Sequence, residues 1–393
     1  MVTPEEFRSE YGIDARILHE VIEIDVKNRR VLVMSIEEKK EWWEAFDHLM
    51  IATGAVPICP DVPGSDAVGI YGLHSLQSGI RVRNVVDTEK PKNAVVIGGG
   101  YIGLEMAEAL IMRGLNVSLV EQANQVMNTL DPDMGALVSD ALMLVGVKLF
   151  REETFQGIEV FNGRARAVVT NLRTIPADIV ILGLGVRPNT ELAGRAGVEL
   201  GVRKAIKIND RMQTGTPGIW AAGDCAESFH LISRRHVHIA LGTIANKQGR
   251  VAGINLGGGY ATFPGVVGTA VSKICDIEVA RTGLQEKEIT TLGLEYVVGR
   301  IESTTRASYY PNSGKITAKA IAEKGSGKLL GAQIVGVEGA AKRIDIFATA
   351  LHAGFTVDDM INLDLSYAPP FSGVWDPVHL AVRRASAALR GRS

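Results

Sequence analysis

The sequence of 393 residues predicts an α/β fold: a parallel sheet organised around one βαβ unit, then a separate α+β module from residue 262 onward. Two observations carry this. Residues 93–121, NAVVIGGGYIGLEMAEALIMRGLNVSLVE, read as strand, glycine turn, helix and second strand. Past residue 262 the pattern changes to strands over 270–279, 295–304, 316–323 and 329–335, followed by helices over 340–352 and 357–363.

In chain order, Thr3 is an N-cap with Pro4 at the first helical position and Glu6 three residues on, so a short capped helix comes first. Residues 17–24 and 30–35 alternate as paired strands around a Lys27-Asn28 turn, and Trp42 and Trp43 cover this meander. An apolar strand over 48–52 then runs into Thr53-Gly54. Residues 55–92 hold Pro57, Pro60, Pro63 and Pro91 with Gly64, Gly69 and Gly72, which reads as a crossover between domains.

The central stretch is the most informative. Ala94–Ile97 is continuously apolar, as a strand covered on both faces is. Gly98, Gly100 and Gly103 follow as G-x-G-x-x-G: the first for a tight turn, the second for close approach to a pyrophosphate, the third for helix–strand packing. The helix, about Tyr101 to Arg113, places Ile102, Met106, Ala109 and Leu110 on one face and stops at Gly114. Its N-terminus offers N–H groups and a positive dipole end to phosphates. The second strand, 117–120, ends in Glu121, whose carboxylate accepts hydrogen bonds from ribose hydroxyls and repels a 2′-phosphate, favouring NADH over NADPH.

Residues 177–184 form another buried strand, closed by Arg187-Pro188-Asn189. In Gly218–Glu227, GIWAAGDCAE, a strand ends in small residues and then Asp224; the carboxylate either reaches a polyol or ribose hydroxyl or caps the next helix. A helix rich in small residues follows over 240–255.

The net charge of −2 points to neither nucleic acid nor an anionic membrane as partner. No apolar run approaches the ~20 residues of a membrane span, and the polar, acidic start MVTPEEFRSE is not a secretory signal, so a cytoplasmic protein is expected. Cys59, Cys225 and Cys275 are too scattered for a disulfide framework, and no metal site is expected.

Taken together, ATGA-x-P (Ala52–Pro57), GGGYIGLE (Gly98–Glu105), LGVRPN (Leu184–Asn189), AAGDCAE (Ala221–Glu227) and ANKQGR (Ala245–Arg250) resemble the FAD-dependent pyridine nucleotide-disulfide oxidoreductases. SYAPPFSGVWDP (Ser366–Pro377) is similar to the coenzyme A-disulfide reductase, NADH oxidase and persulfide reductase branch. The resemblance implies two Rossmann-like FAD/NAD(P)-binding domains plus a C-terminal α+β dimerisation domain. The FAD domain is split over 1–85 and 186–258, with the NAD(P) domain at 86–185 and the dimerisation domain at 262–393. It implies FAD held by Ala52, Thr53, Gly54, Gly223, Asp224, Leu241, Gly242, Thr243 and Ala245. NADH or NADPH would be held by Gly98, Gly100, Tyr101, Ile102, Gly103, Glu121 and Gly185, with Tyr101 covering the nicotinamide pocket. Glu105 would lie close to the flavin–nicotinamide contact, and Tyr367 would reach across a homodimer to the partner's redox sulfur. The implied activity is flavin-dependent NAD(P)H oxidation with reduction of a small disulfide, foremost coenzyme A disulfide or a persulfide, or of oxygen. Arg234, Arg235, His236 and His238 form a basic loop that would meet coenzyme A phosphates or lie solvated on the surface.

The sequence departs from the family before Thr3, where a first FAD-binding βαβ and the redox cysteine are expected. None of the three cysteines takes that redox role. Two expectations follow: a shortened form of an active enzyme, with Met1 an internal residue, or a truncated, catalytically impaired NAD-binding homologue. A ferredoxin, rubredoxin or nitrite reductase-type flavoprotein is a further alternative, against which SYAPP and the long C-terminal domain speak.

Overall fold

The computed structural model describes residues 2–391, so Met1, and the expectation attached to it, lies outside the described residues, as do 392 and 393. The chain forms two compact units. The first holds residues up to Val56, Arg187–Phe229 and His236–Gly265; the second holds Pro57–Val186, His230–Arg235 and the residues from Val266 onward.

The first unit opens with the helix Pro4–Tyr11, where Thr3 and Glu6 exchange reciprocal cap bonds and Gly12 ends the helix at φ +65°. Strands His19–Asp25, Arg30–Ser35 and Glu41–Ala45 make an antiparallel meander. Trp42 and Trp43 lie within its third strand, ahead of Leu49–Ile51, with the Arg30 guanidinium 4.2 Å over the Trp43 ring. Leu49–Ile51 pairs in parallel with Ile219–Ala221, and the helix Gly242–Leu256 packs Val251 and Ala252 into a core with Ile24, Ile206 and Trp220.

The second unit contains a five-stranded parallel sheet in the order Ile70–Gly72, Ile179–Leu182, Asn93–Ile97, Asn116–Glu121, Lys148–Arg151. Residues 55–92 are therefore more than a crossover. They supply the edge strand Ile70–Gly72 and the helix Leu76–Glu89, capped reciprocally by Ser75 and Ser78 and burying Val82 and Val86. Residues 57–85, expected in the first FAD segment, pack in this unit because that strand pairs with Ile179–Leu182. The helix Tyr101–Met112 buries Leu104, Ala107 and Leu110. Ala109, expected on the buried face, is exposed, because the close seat of Gly103 on the Gly98 carbonyl sets the helix rotation.

The remainder of this unit carries a five-stranded antiparallel sheet in the order Ala270–Ile274, Ile277–Gly283, Leu329–Gly336, Lys315–Glu323, Tyr296–Thr304. The strand expected over 270–279 is a hairpin, broken where Cys275 takes φ +53°. A helix not expected from the sequence, Pro377–Leu389, lies on Tyr296–Thr304 so closely that a Cβ on Gly299 would collide with the Ala381 carbonyl. The two sheets share one core, in which Val96, Leu119 and Ile181 are continuous with Ile274, Val279 and Val335.

One ionic knot spans that junction. The Lys319 ammonium, 1% exposed, lies 2.7 Å from Asp133 and 3.1 Å from Asp131 and also contacts Glu286. Gln333 adds a hydrogen bond to Asp131 at 2.7 Å, and the Tyr296 hydroxyl donates to Glu286 at 2.8 Å. Burial alone would lower the Lys319 pKa, but the surrounding carboxylates raise it, so the lysine is held charged. Among the described residues no helix is long and apolar enough to cross a membrane.

Candidate functional site

The second unit contains a cleft of about 340 Å³ at the C-terminal ends of its parallel strands. Its floor is the stretch Gly98–Ile102; Gly103, expected among the nucleotide-binding residues, is buried behind it and does not line the cleft. Gly98 takes φ +100°, and a Cβ there would meet the Gly183 carbonyl oxygen at 2.5 Å. A Cβ on Gly103 would overlap the Gly98 carbonyl, so this glycine sets the helix against the strand. A Cβ on Gly100 would meet nothing within 4 Å. Gly100 is also the N-cap of the Tyr101–Met112 helix and makes no side-chain cap, so the first N–H groups of the helix are left for a ligand. Space over Gly100 beside open N–H groups fits a pyrophosphate.

Glu121 ends the adjacent strand and lines this cleft, 8% exposed. Its Oε2 accepts the Gly99 N–H at 2.7 Å and its Oε1 accepts the Ala123 N–H at 2.9 Å. A carboxylate offers about four lone-pair sites, so two backbone bonds fix its orientation and leave acceptors for ribose hydroxyls. Tyr101, Ile102 and Gly185 also line the cleft, and the Tyr101 hydroxyl accepts from Thr129 at 3.3 Å. Lining residues that the sequence did not single out as site residues include Gln122, Glu153, Phe155 and Gly183. Gly183 had a signal in the LGLG run, since its Cβ would lie 2.9 Å from the Gly103 Cα. Glu153, buried and bonded to Thr170 at 2.9 Å and Arg173 at 2.9 Å, had none.

The first unit brings the other candidate residues into one region. Ala52, Thr53 and Gly54 follow the strand Leu49–Ile51; Ala52 and Thr53 are exposed, and Gly54, half-buried, takes φ +68°. Asn189 holds this turn, its N–H donating to the Gly54 carbonyl at 2.9 Å while its own carbonyl accepts from the Thr53 hydroxyl at 2.5 Å. Cys225, buried, donates to the Ile51 carbonyl at 3.4 Å and so ties this strand to the Gly223-Asp224 turn. Asp224 caps no helix: no helix begins there, and its carboxylate accepts no hydrogen bond among the described residues. Burial raises its pKa, with the charge of His238 acting in the opposite sense. Leu241 is the N-cap of the helix Gly242–Leu256 and makes no side-chain cap; Gly242 and Thr243 are exposed, and Ala245 lies under Gly223. Two glycine turns, a free carboxylate and an uncapped N-terminus of a helix of 15 residues fit the phosphates and polyol of a flavin dinucleotide.

Glu105 is exposed, and its carboxylate accepts from the Ser272 hydroxyl at 2.7 Å. Tyr367 is half exposed, and a hydrogen bond with Tyr309 raises its pKa. Two histidines of the expected basic loop are already committed: His236 lies 2.9 Å from buried Glu227 and His238 2.8 Å from the Asp224 carbonyl. Burial pushes the Cys225 and Cys275 thiols up, which keeps them protonated, and Cys59 is exposed.

Residues 4–249 match the family model for pyridine nucleotide-disulphide oxidoreductases, and residues 269–378 match its dimerisation domain. The chain is 39% identical to a Pyrococcus horikoshii NAD(P)H coenzyme A polysulfide/persulfide reductase, covering 97% of this chain and 84% of that protein. It is 37% identical to a Methanocaldococcus jannaschii NADH oxidase, covering 100% of this chain and 87% of the other. Among solved structures, the NAD-dependent persulfide reductase from A. fulgidus superimposes with a TM-score of 0.95 at 37% identity, over 98% of this chain and 72% of that one.

Proposed function

Because the chain belongs to the pyridine nucleotide-disulphide oxidoreductases, we propose that it is a flavin-dependent NAD(P)H oxidoreductase whose acceptor is a small disulfide or persulfide of the coenzyme A type. The observation that carries this reading is the open Gly100 over uncapped helix N–H groups, with Glu121 pinned beside it to receive a ribose. It is supported by the separate Gly54, Gly223-Asp224 and Gly242 region in the first unit.

The residues have distinct tasks. The Gly98–Gly103 turn and helix N–H groups neutralise a pyrophosphate, and Glu121 orients the ribose while disfavouring a 2′-phosphate. Asp224 accepts from flavin-side hydroxyls, and the N-terminus of Gly242–Leu256 favours negative charge on the ring system. When bound, the nicotinamide supplies a hydride and the flavin takes up its two electrons. Residues 262–393 form a homodimer with Tyr367 and Tyr309 at its surface, and the protein acts in the cytoplasm.

A second reading, with dioxygen as acceptor, is favoured by the 37% identity to the Methanocaldococcus jannaschii NADH oxidase over the whole of this chain. The test is to purify the chain, record its visible spectrum, and follow NADH consumption with coenzyme A disulfide, with polysulfide and with air alone. A flavin absorption band and turnover with a sulfur acceptor support the first reading. Turnover with air alone supports the second. A colourless protein without affinity for NADH sinks both.

A further inference from the structure

We infer that Gln248 is a positioning residue for Asp224: one buried side-chain amide fixes the Gly223–Ser228 turn onto the helix Gly242–Leu256. The inference rests on the flavin reading above. Gln248 is 1% exposed. Its Oε1 accepts the Gly223 N–H at 2.8 Å, while its Nε2 donates to the Ser228 hydroxyl at 3.0 Å and to the Glu227 carbonyl at 3.2 Å. Both ends of the turn that presents Asp224 thus converge on one side chain, itself on the helix whose N-terminus serves the same ligand.

The turn has little other freedom. Gly223 takes φ +82°, and a Cβ there would lie 3.4 Å from the Ala245 Cβ, so the chain crosses directly over the helix one turn before Gln248. His238 Nε2, 2.8 Å from the Asp224 carbonyl, fixes the Asp224–Cys225 peptide on the other side of the Asp224 Cα. Glu227 is anchored in turn by the Val202 N–H at 3.2 Å and by His236. The Asp224 backbone is held from two sides while its carboxylate is left free, as a preorganised acceptor should be. Only a primary amide accepts at one atom and donates twice from another at this separation; glutamate keeps the acceptor, and leucine keeps neither function.

The test compares wild type, Gln248→Leu and Gln248→Glu for FAD affinity, for the visible circular dichroism of bound flavin, and for NADH affinity at the Gly98 turn as an internal control. Gln248→Leu should bind FAD on the order of 10- to 100-fold more weakly, since two buried backbone groups and a hydroxyl lose their partner. It should change the flavin dichroism and leave the NADH Kd within about twofold, because that cleft lies wholly in the other unit. Gln248→Glu still receives the Gly223 N–H but sets an oxygen against the Glu227 carbonyl, so it too should bind FAD more weakly than wild type and leave the NADH Kd within about twofold. A Leu variant that is less stable yet holds FAD with wild-type affinity and spectrum overturns the inference, as does equal loss of FAD and NADH binding. Should the Leu variant fail to fold, the Glu variant decides by the same comparison. A wild type that binds no flavin overturns the flavin reading and this inference with it; variants indistinguishable from a flavin-bearing wild type overturn the inference alone.

Discussion

Gly100 and Gly103 are three residues apart in one turn, and adding a methyl group to each should have opposite consequences. At Gly100 the backbone sits at φ −84° and ψ −176°, open to any L-residue, and the new Cβ would touch nothing within 4 Å. Gly100→Ala should therefore leave stability unchanged or raise it by about 0.4–1 kcal/mol through the unfolded chain. The same methyl fills the space that a phosphate must enter. Losing one charge-assisted N–H bond, about 1.5–3 kcal/mol, weakens NADH binding roughly 10- to 150-fold. At Gly103 the methyl overlaps the Gly98 carbonyl oxygen and lies 3.4 Å from Val96 Cγ1, so helix and strand must part. Overpacking of that kind costs about 1–3 kcal/mol, seen as a fall in Tm of roughly 2–12 °C. Isothermal titration with NADH and thermal melts of both variants make the comparison. A Gly100→Ala protein with wild-type NADH affinity, or a Gly103→Ala protein as stable as wild type, would refute the assignment of the turn.

Three further outcomes are expected. Replacing Glu121 with Gln removes the charge facing a 2′-phosphate, and the ratio of NADPH Kd to NADH Kd should fall about tenfold, measured by parallel titrations; an unchanged ratio removes Glu121 from cofactor choice. Burial lowers the His230 pKa below its ordinary 6.5, with Glu288 and Arg281 pulling in opposite senses. The unfolded chain then binds more protons between the lowered value and 6.5, so stability is full above 6.5 and is lost as pH falls through that window. Urea unfolding at successive pH values should show this slope, flatter in His230→Gln. Lys319→Met leaves Asp131, Asp133 and Glu286 without their shared cation and should cost about 3–5 kcal/mol in denaturant unfolding. A loss under about 1 kcal/mol would show that the ion network contributes little.

What the sequence revealed is what neighbouring residues encode. The strand, turn and helix of 93–121 were legible because apolar runs, glycine spacing and the terminal acid fall within one short segment. The helix Leu76–Glu89 was hidden because flanking prolines and glycines outweighed a weak apolar pattern of Val82 and Val86. The Cys275 hairpin lacked the Gly or Asn that usually announces φ above zero. Pro377–Leu389 was readable in principle, since Asp376 caps it, Pro377 begins it, and Val378, Ala381, Val382 and Ala385 follow at helical spacing. The three hydrogen bonds of Gln248 and the burial of Glu153 depend on partners about 20 residues away, and no local pattern reports them.

The cage around Lys319 also constrains motion. The ammonium is shared among three carboxylates, so the Asp131 cap and the first turn of the helix Pro132–Leu144, which carries Asp133, are tied to the antiparallel sheet and cannot drift from it by small steps. The parallel sheet that carries the cleft is thereby pinned to the C-terminal sheet by charge as well as by their common core.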